Sequence, residues 1–278
     1  MSSEKPQLPP VMILCGGMGT RLQEVTELLP KPMVKIGEQP IIWHIMRTYA
    51  AFGVRRFILC LGYKREAFID FFVNYHLRVS DATITLGHNP KIDFHDDVAE
   101  ADWQITLAAT GLETKTAGRI ARAAKYLKEN DEDFFLTYGD GVSDVDIRAC
   151  WQEHRRHRAL ATITAVHPAA RFGEMQIEDG LVTRFDEKPS KPLGYVNGGF
   201  MVLRREFLHQ YISAERDEFL ESGPLMEAVA NRDVRVFQHE GFWQCMDTPR
   251  EFTLLNQLWN QGRAPWTKFW HQPPRKNE

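Results

Sequence analysis

A glycine-rich turn at residues 16–21 is the first segment whose residue types could bind a ligand. The apolar run Val11 to Cys15 is followed directly by Gly16-Gly17-Met18-Gly19-Thr20-Arg21. Three glycines allow backbone N–H groups to converge on an anion, and a guanidinium matches phosphate oxygens. The segment lacks the last glycine of GxGxxG and the Gly-Lys-Ser/Thr of a P-loop, so a tight bend without a ligand is the alternative. Its position after a predicted central strand favours a phosphate site.

A lysine between two prolines is the second candidate. In Leu29-Pro30-Lys31-Pro32-Met33, the prolines stiffen the backbone on both sides of Lys31. An ammonium group presented in this way could neutralise the negative charge that grows on a phosphate as a bond breaks. A surface lysine in a proline-rich loop is the alternative.

Two carboxylates at the ends of separate elements form the third candidate. Asp140 lies between two glycines after the apolar run 134–138, and Asp247 precedes Thr248-Pro249-Arg250-Glu251, which has the pattern of a capping box. A turn role for Asp140 and a favourable interaction of Asp247 with the helix dipole are the alternatives. Because Mg²⁺ takes one or two carboxylates together with substrate phosphates, the pair also predicts a magnesium site.

The elements that must position these residues alternate between strand and helix. Short apolar runs ending in glycine predict buried strands, and apolar residues at helical spacing predict the helices between them. The predicted strands are 11–15, 56–61, 82–86, 104–108, 134–138, 161–166, a hairpin within 173–185 turning at Asp179-Gly180, and one opening at Asn197. The predicted helices are 40–52, 65–75, 118–127, 144–157, 224–231 and 249–260. This order indicates an α/β domain with a mixed, mainly parallel sheet, whose ligands bind at the carboxyl ends of its strands.

Composition narrows the class of protein. The 278 residues carry 34 basic and 37 acidic side chains, a net charge of −3, which argues against a nucleic-acid-binding protein. The chain has no run of 18 apolar residues, so we expect no transmembrane helix and no membrane partner. Four widely spaced cysteines, Cys15, Cys60, Cys150 and Cys245, predict buried thiols in a cytoplasmic protein. We expect one domain at 11–270 with terminal tails at 1–10 and 271–278.

Taken in order, the motifs resemble those of the sugar-1-phosphate nucleotidyltransferases. They are GGMGTR, LPKPM, YGDG, RFG, EKP, NGGF and FWQCMD. Segments such as Trp43-His44-Ile45-Met46 and Ala264-Pro265-Trp266 resemble more narrowly the branch that uses CTP and glucose 1-phosphate. The resemblance spans roughly residues 11–270.

The resemblance implies a single Rossmann-like domain with helices on both faces and added antiparallel strands that bind the sugar. It implies Mg²⁺-dependent transfer of CMP from CTP to α-D-glucose 1-phosphate, giving CDP-glucose and pyrophosphate for dideoxyhexose and surface-polysaccharide (O-antigen, lipopolysaccharide) synthesis, in a homo-oligomer. A uridylyl- or thymidylyltransferase, or a non-catalytic nucleotide-sugar-binding homologue, are the alternatives.

The resemblance also implies roles for individual residues. Those expected to bind the nucleotide are Leu14, Cys15, Gly16, Gly17, Met18, Gly19, Thr20, Arg21, Lys31, Thr114, Arg119 and Gly139. Those expected to bind the sugar phosphate are Gly173, Glu187, Lys188 and Asn197. Asp140 and Asp247 would bind Mg²⁺, and Arg21, Lys31, Lys188 and Asp140 would be catalytic. Cys15 and Cys245 stand where the family usually has alanine and proline.

Overall fold

The computed structural model describes residues 8–17, 29–157, 159–168, 174–178, 181–186, 194–213 and 215–270. The strands in this part of the chain are β1 (Val11–Leu14), β2 (Lys35–Ile36), β3 (Gln39–Pro40), β4 (Arg56–Leu61), β5 (Ala82–Thr85), β6 (Lys91–Phe94), β7 (Gln104–Ala109), β8 (Asp133–Tyr138), β9 (Gly141–Ser143), β10 (Ala161–Val166), β11 (Glu174–Glu178), β12 (Leu181–Asp186), β13 (Val196–Arg204), β14 (Val234–His239) and β15 (Trp243–Cys245).

Helices connect these strands. They are α1 (Ile41–Ala51), α2 (Arg65–Val73), α3 (Tyr75–Val79), α4 (Thr116–Ala123), α5 (Ile147–His157), α6 (Arg205–Tyr211), α7 (Pro224–Ala230) and α8 (Pro249–Asn260). Short 3₁₀ turns lie at Lys31–Met33, Ala124–Tyr126 and Pro265–Thr267. None of these helices is both long and apolar enough to span a bilayer.

A seven-stranded sheet organises the fold in the order β14-β10-β13-β8-β1-β4-β7. Four of its six neighbouring pairs are parallel, and β13 runs antiparallel to both β8 and β10. Strand β1 lies between β4 and β8, with Leu14 opposite Cys60 on one side and Tyr138 on the other. The predicted mixed, mainly parallel sheet is confirmed.

Alternation along β1 and β4 divides the core between the two faces of the sheet. Val11 and Ile13 belong to a cluster with the buried side chains of α1, α2 and α5, whereas Met12 and Leu14 belong to one with α4, α6 and α7. Both strands are buried on both faces, which is why they appear in the sequence as continuous apolar runs. The helices therefore cover both faces of the sheet.

Most predicted elements are present, but one helix ends earlier than predicted and one strand was not predicted. The helix predicted at 65–75 ends at Val73, because the Asn74 side chain donates to the Asp70 carbonyl (3.0 Å) and interrupts the helix. The sequence pattern predicts no element between 86 and 104, yet Lys91–Phe94 pairs with β5 in an exposed hairpin. The predicted hairpin is confirmed by β11 and β12, which pair antiparallel, with its turn at 179–180 outside the described residues.

The cysteine prediction holds for three of the four residues. Cys15, Cys60 and Cys150 are buried free thiols, while Cys245 is free and half-buried. Cys245 is more accessible because it lies at the end of β15, beside Asp247, where its thiol donates to the carboxylate at 3.7 Å.

Candidate active site

The carboxyl ends of the parallel strands β1 and β8 meet at one cavity. The Cys15 amide after β1 donates to Cys60 O (3.1 Å), and the Gly139 amide after β8 donates to Leu14 O (3.0 Å). The cavity at this edge has a volume of about 340 Å³. Ten residues that the sequence analysis placed at the site line it: Leu14, Cys15, Gly16, Gly17, Lys31, Thr114, Arg119, Gly139, Asp140 and Asp247.

Lys31 is presented by the rigid turn that its flanking prolines predict. The 3₁₀ turn Lys31–Met33 is buried and closed by two hydrogen bonds, from the Met33 amide to Pro30 O (2.8 Å) and from the Val34 amide to Lys31 O (3.1 Å). The alternative of a solvated surface lysine is therefore wrong. Pro32 also packs close to Gly139, where an added Cβ would lie 3.0 Å from Pro32 Cγ.

A short β ladder brings together the two aspartates, which are far apart in the sequence. Strands β9 and β15 pair antiparallel with Gly141 opposite Cys245, and the Met246 amide donates to Asp140 O (2.8 Å). Each aspartate therefore stands at the same end of the ladder. The three paired positions of this ladder thus bring Asp140 and Asp247, 107 residues apart in the sequence, next to each other.

The predicted capping box fixes the backbone at Asp247. The Glu251 carboxylate accepts from the amides of Asp247 (2.7 Å) and Thr248 (2.9 Å), and the Thr248 hydroxyl accepts from the Glu251 amide (3.4 Å). Helix capping and the site are thus compatible roles for this segment, because the cap orients Asp247 while its side chain stays at the cavity.

The Lys31 ammonium donates to both aspartates. Its Nζ lies 2.7 Å from Asp140 Oδ2 and also contacts Asp247 Oδ1. Burial lowers the pKa of Lys31, but the charges and hydrogen bonds of the two carboxylates outweigh burial and raise it. The lysine therefore carries its charge throughout the physiological pH range.

The same contacts test whether the residues suit a divalent cation. Both carboxylates contact the same positive charge, the ammonium of Lys31, which takes the place of a cation between them. Carboxylate oxygens are the hard donors that Mg²⁺ prefers. Within the described ranges, no group of three or more His, Cys, Asp and Glu side chains has metal-binding geometry. The two aspartates fit a magnesium ion that takes its remaining ligands from substrate phosphates and water.

Arg119 joins the segments that follow β1 and β7 through its guanidinium. Nη1 donates to Gly111 O (2.7 Å) and Thr110 Oγ1 (3.0 Å), and Nη2 donates to Gly16 O (3.0 Å) and Leu112 O (3.0 Å). Burial lowers the pKa of Arg119, although the group remains a cation. The resemblance implied that Arg119 binds the nucleotide, and its position in the cavity wall is compatible with that prediction.

The close approach of Arg119 explains one glycine of the turn at 16–21. A Cβ added at Gly16 would lie 2.0 Å from Arg119 Nη1, whereas a Cβ added at Gly17 would meet nothing within 4 Å. A Cβ added at Gly62, which follows β4, would likewise lie 2.5 Å from Arg119 Nη1. Gly16 is thus required by packing on Arg119, a reason that the local sequence does not reveal.

The cavity is also lined by five residues that were not predicted as members of the site: Pro32, Lys115, Thr116, Tyr138 and Phe219. Pro32 and Tyr138 are direct neighbours of predicted residues, so adjacency was an available signal. Phe219 lies in a segment without periodicity or motif, and nothing local in the sequence could have indicated it.

Asn197 does not line the cavity, although its side chain hydrogen-bonds Tyr138, which does. Its Oδ1 accepts from the Gly199 amide (2.9 Å), and Gly199, at φ +78°, approaches the Tyr138 ring so closely that an added Cβ would lie 2.6 Å from Cδ2. The role of Asn197 toward the sugar phosphate stays a prediction. Seven other predicted residues lie outside the described residues: Met18, Gly19, Thr20, Arg21, Gly173, Glu187 and Lys188.

The buried thiols supply no nucleophile. Burial raises the pKa of Cys15 well above its ordinary value and that of Cys60 to about 12, so both remain thiols. The chemistry that the cavity supports is therefore electrostatic, with a fixed cation and two carboxylates at its base.

Comparisons with known proteins agree with this geometry. The profile of the nucleotidyl transferase family matches residues 10–253. The chain is 44% identical over 259 residues to the glucose-1-phosphate cytidylyltransferase of Salmonella typhi, covering 93% of this chain and 98% of that protein. It is 38% identical over 261 residues to a probable glucose-1-phosphate cytidylyltransferase of Bacillus subtilis (strain 168), covering 93% and 99%.

A solved structure shares the fold. HddC from Yersinia pseudotuberculosis superposes with a TM-score of 0.62 at 21% identity, covering 91% of this chain and 100% of that one. The family profile and the two relatives confirm the resemblance carried by the sequence motifs. With a buried lysine and two aspartates meeting at its strand ends, the chain belongs to the nucleotidyl transferase family, and it is an enzyme of that family.

Proposed function

We propose that this enzyme transfers CMP from CTP to glucose 1-phosphate, forming CDP-glucose and pyrophosphate. The observation that carries the proposal is the contact of Lys31 with Asp140 and Asp247 in the cavity at the ends of β1 and β8. The choice of CTP and glucose 1-phosphate follows relatives that are 44% and 38% identical and bear that activity in their names.

The reaction needs charge neutralisation and alignment. A phosphate oxygen of the sugar phosphate attacks the α-phosphorus of CTP, and the bond from that phosphorus to the oxygen of the leaving pyrophosphate breaks. The attacking oxygen is already ionised, so the protein has to supply neither a general base nor a nucleophile. Holding two polyanions in register is the larger part of such catalysis.

Lys31 is the group best placed to stabilise negative charge on the α-phosphate. Its ammonium is buried, permanently charged and fixed by the turn at Lys31–Met33. A preorganised cation in a site of low water content stabilises a transition state more than the same cation in water. Residues Gly16 and Gly17 line the cavity beside it, where their backbone amides can face phosphate oxygens.

Asp140 and Asp247 are the residues that would hold Mg²⁺. When bound, the ion supplies Lewis-acid neutralisation of phosphate oxygens. The same two carboxylates also accept hydrogen bonds from Lys31, so the three charged groups lie in contact with one another.

The activity can be tested by offering glucose 1-phosphate with each of ATP, CTP, GTP, UTP and dTTP, with and without Mg²⁺, and identifying the products by mass spectrometry. We expect CDP-glucose and pyrophosphate from CTP, only with Mg²⁺ present. The assignment of the base is wrong if CTP gives no product while another triphosphate does.

Single substitutions of Asp140 and Asp247 test the role of the two carboxylates. Asp140→Asn and Asp247→Asn each remove one charge from the pair, and we expect turnover to fall by orders of magnitude while circular dichroism stays that of the unchanged protein. Near-normal rates in both variants would remove the argument for a metal site.

A further inference from the structure

Residues 217–221 contribute Phe219 to the cavity wall and are anchored to the N-terminus of α4. The Lys115 amide donates to Asp217 Oδ1 (2.8 Å), and the Ala117 amide donates to Glu218 O (3.1 Å). These amides belong to the first turn of the helix, which has no intrahelical acceptors for them. The segment thus supplies hydrogen-bond acceptors to the helix N-terminus, and the same bonds hold the segment in place.

Glu221 ties the same segment to the end of β8. Its carboxylate accepts from the Tyr138 hydroxyl through Oε1 and from the Thr116 hydroxyl through Oε2 (3.1 Å), and Thr116 Oγ1 in turn accepts from the Leu220 amide (2.7 Å). The Leu220 side chain is completely buried. Both residues that follow Phe219 are therefore fixed.

Phe219 stands out in this anchored segment because its ring remains accessible. The side chain is 52% exposed and lines the cavity, and Lys115 Nζ lies 5.5 Å from the ring centroid. Leaving a large apolar ring in water is unfavourable, and a planar ligand that covers the ring would recover that free energy. The ring is held ready for such a ligand by its neighbours.

We propose that Phe219 contacts the nucleobase of the bound nucleotide and that Glu221 is the residue that positions it. The proposal rests on the proposed function, in which Lys31, Asp140 and Asp247 occupy the phosphate end of the cavity. An aromatic face in the same cavity matches the flat face of a base, since base–aromatic stacking does not depend on the base's hydrogen-bonding groups. Phe219 therefore contributes affinity for the base, and discrimination between bases is left to other residues.

The test compares ligands with and without a base. Isothermal titration calorimetry of the full chain measures CTP and inorganic tripolyphosphate, both with Mg²⁺, against the unchanged protein and Phe219→Ala. We expect the dissociation constant for CTP to rise by about five- to a hundredfold, with little change for tripolyphosphate. Phe219→Tyr keeps the ring and should retain the original affinity for CTP.

Met226→Ala is the matched control. Met226 is a large, exposed apolar residue in the helix that follows the same segment, and it does not line the cavity. Its replacement should leave both dissociation constants unchanged. Glu221→Ala should weaken CTP binding as Phe219→Ala does, and Glu221→Gln, which still offers an oxygen acceptor, should restore most of it.

Several outcomes would overturn the proposal. An unchanged CTP affinity in Phe219→Ala, an equal loss for CTP and tripolyphosphate, or a rise confined to the KM for glucose 1-phosphate would each do so, the last because it assigns the ring to the sugar. If the unchanged protein bound another triphosphate and not CTP, the proposed function would be wrong in its base. The same comparison made with that triphosphate would then decide the role of Phe219.

Discussion

At the scale of single residues, Lys31 has the most demanding environment in the cavity. Its ammonium is buried against two carboxylates, so its removal leaves two neighbouring negative charges without their cation. We expect Lys31→Met to lower kcat/KM by at least about a hundredfold, since the variant loses a preorganised cation at the reacting phosphate.

The measurement is pyrophosphate release from CTP and glucose 1-phosphate, with circular dichroism to establish that the variant is folded. Lys35→Met is the control, because Lys35 is an exposed lysine four residues away on β2. A rate for Lys31→Met close to that of Lys35→Met would contradict the assigned role.

Residue identity predicted Lys31, Asp140 and Asp247 as members of the site, but not that Lys31 contacts both carboxylates. The prolines around Lys31 and the glycines around Asp140 gave local reasons for their presentation. The contacts of Lys31 with Asp140 and Asp247 depend on the pairing of β9 with β15, which joins segments about a hundred residues apart. No local pattern carries that information.

At the scale of elements, Arg119 connects the ends of β1 and β7 with the first turns that follow them. The side chain starts from α4 and donates to Gly16 O and Gly111 O. We expect Gly16→Ala to displace the guanidinium, because the new methyl group would lie 2.0 Å from Nη1. The free energy of unfolding should fall by about 1–3 kcal/mol as buried carbonyl groups lose their donor.

Chemical denaturation of Gly16→Ala and Gly17→Ala gives a matched comparison. Gly17 is adjacent in sequence, and a Cβ added there meets nothing within 4 Å, so Gly17→Ala should unfold at nearly the original denaturant concentration. Equal stability of the two variants would show that Arg119 does not hold the strand ends as described.

Burial explains why one strand was predicted with its observed ends and another was missed. Strand β4, at 56–61, is apolar from Phe57 to Leu61, and these five residues are buried. Strand β6, Lys91–Phe94, was missed because its residues are largely exposed and include Lys91 and Asp93, which pair with each other across the strand surface. Exposed hairpins lack the one-sided burial that produces a readable alternation.

At the scale of the whole molecule, the C-terminal tryptophans close the chain over α1. Trp259, Trp266 and Trp270 surround the ring of His44 with centroid distances of 4.7, 6.1 and 5.7 Å, and Trp266 is completely buried. These contacts attach the C-terminal segment to the body of the domain, while the homo-oligomer stays a prediction.

This attachment predicts a pH dependence of stability. His44 Nδ1 accepts from Trp266 Nε1 (3.3 Å) and His44 Nε2 contacts Ile36 O (2.9 Å), an arrangement that requires the neutral ring. Burial lowers the pKa of His44 from its ordinary 6.5 to about 4. Because the unfolded chain binds the proton first, the stability contributed by His44 is complete above pH 6.5 and is lost as the pH falls toward 4.

Urea unfolding at a series of pH values measures this contribution. The unchanged protein should lose about 2 kcal/mol from His44 between pH 7.5 and pH 5. A His44→Gln variant, which has no proton to gain, should show a correspondingly flatter profile. Parallel profiles for the two proteins would mean that His44 titrates normally in the folded state.

The lysine that bridges the two aspartates acts as a counter-ion tethered to the chain. A tethered group acts at high effective concentration, so a free divalent ion has to displace it, whereas an ion that arrives on a triphosphate brings the lysine new anionic partners. We therefore expect Mg²⁺ and nucleotide to bind cooperatively, with calorimetric affinity for Mg²⁺ rising in the presence of a non-hydrolysable CTP analogue and with tighter binding of free Mg²⁺ in Lys31→Met. Equal Mg²⁺ affinity with and without the nucleotide would contradict this coupling. If the affinities differ as expected, Lys31 keeps free Mg²⁺ from occupying the two carboxylates, and the ion enters together with the nucleotide.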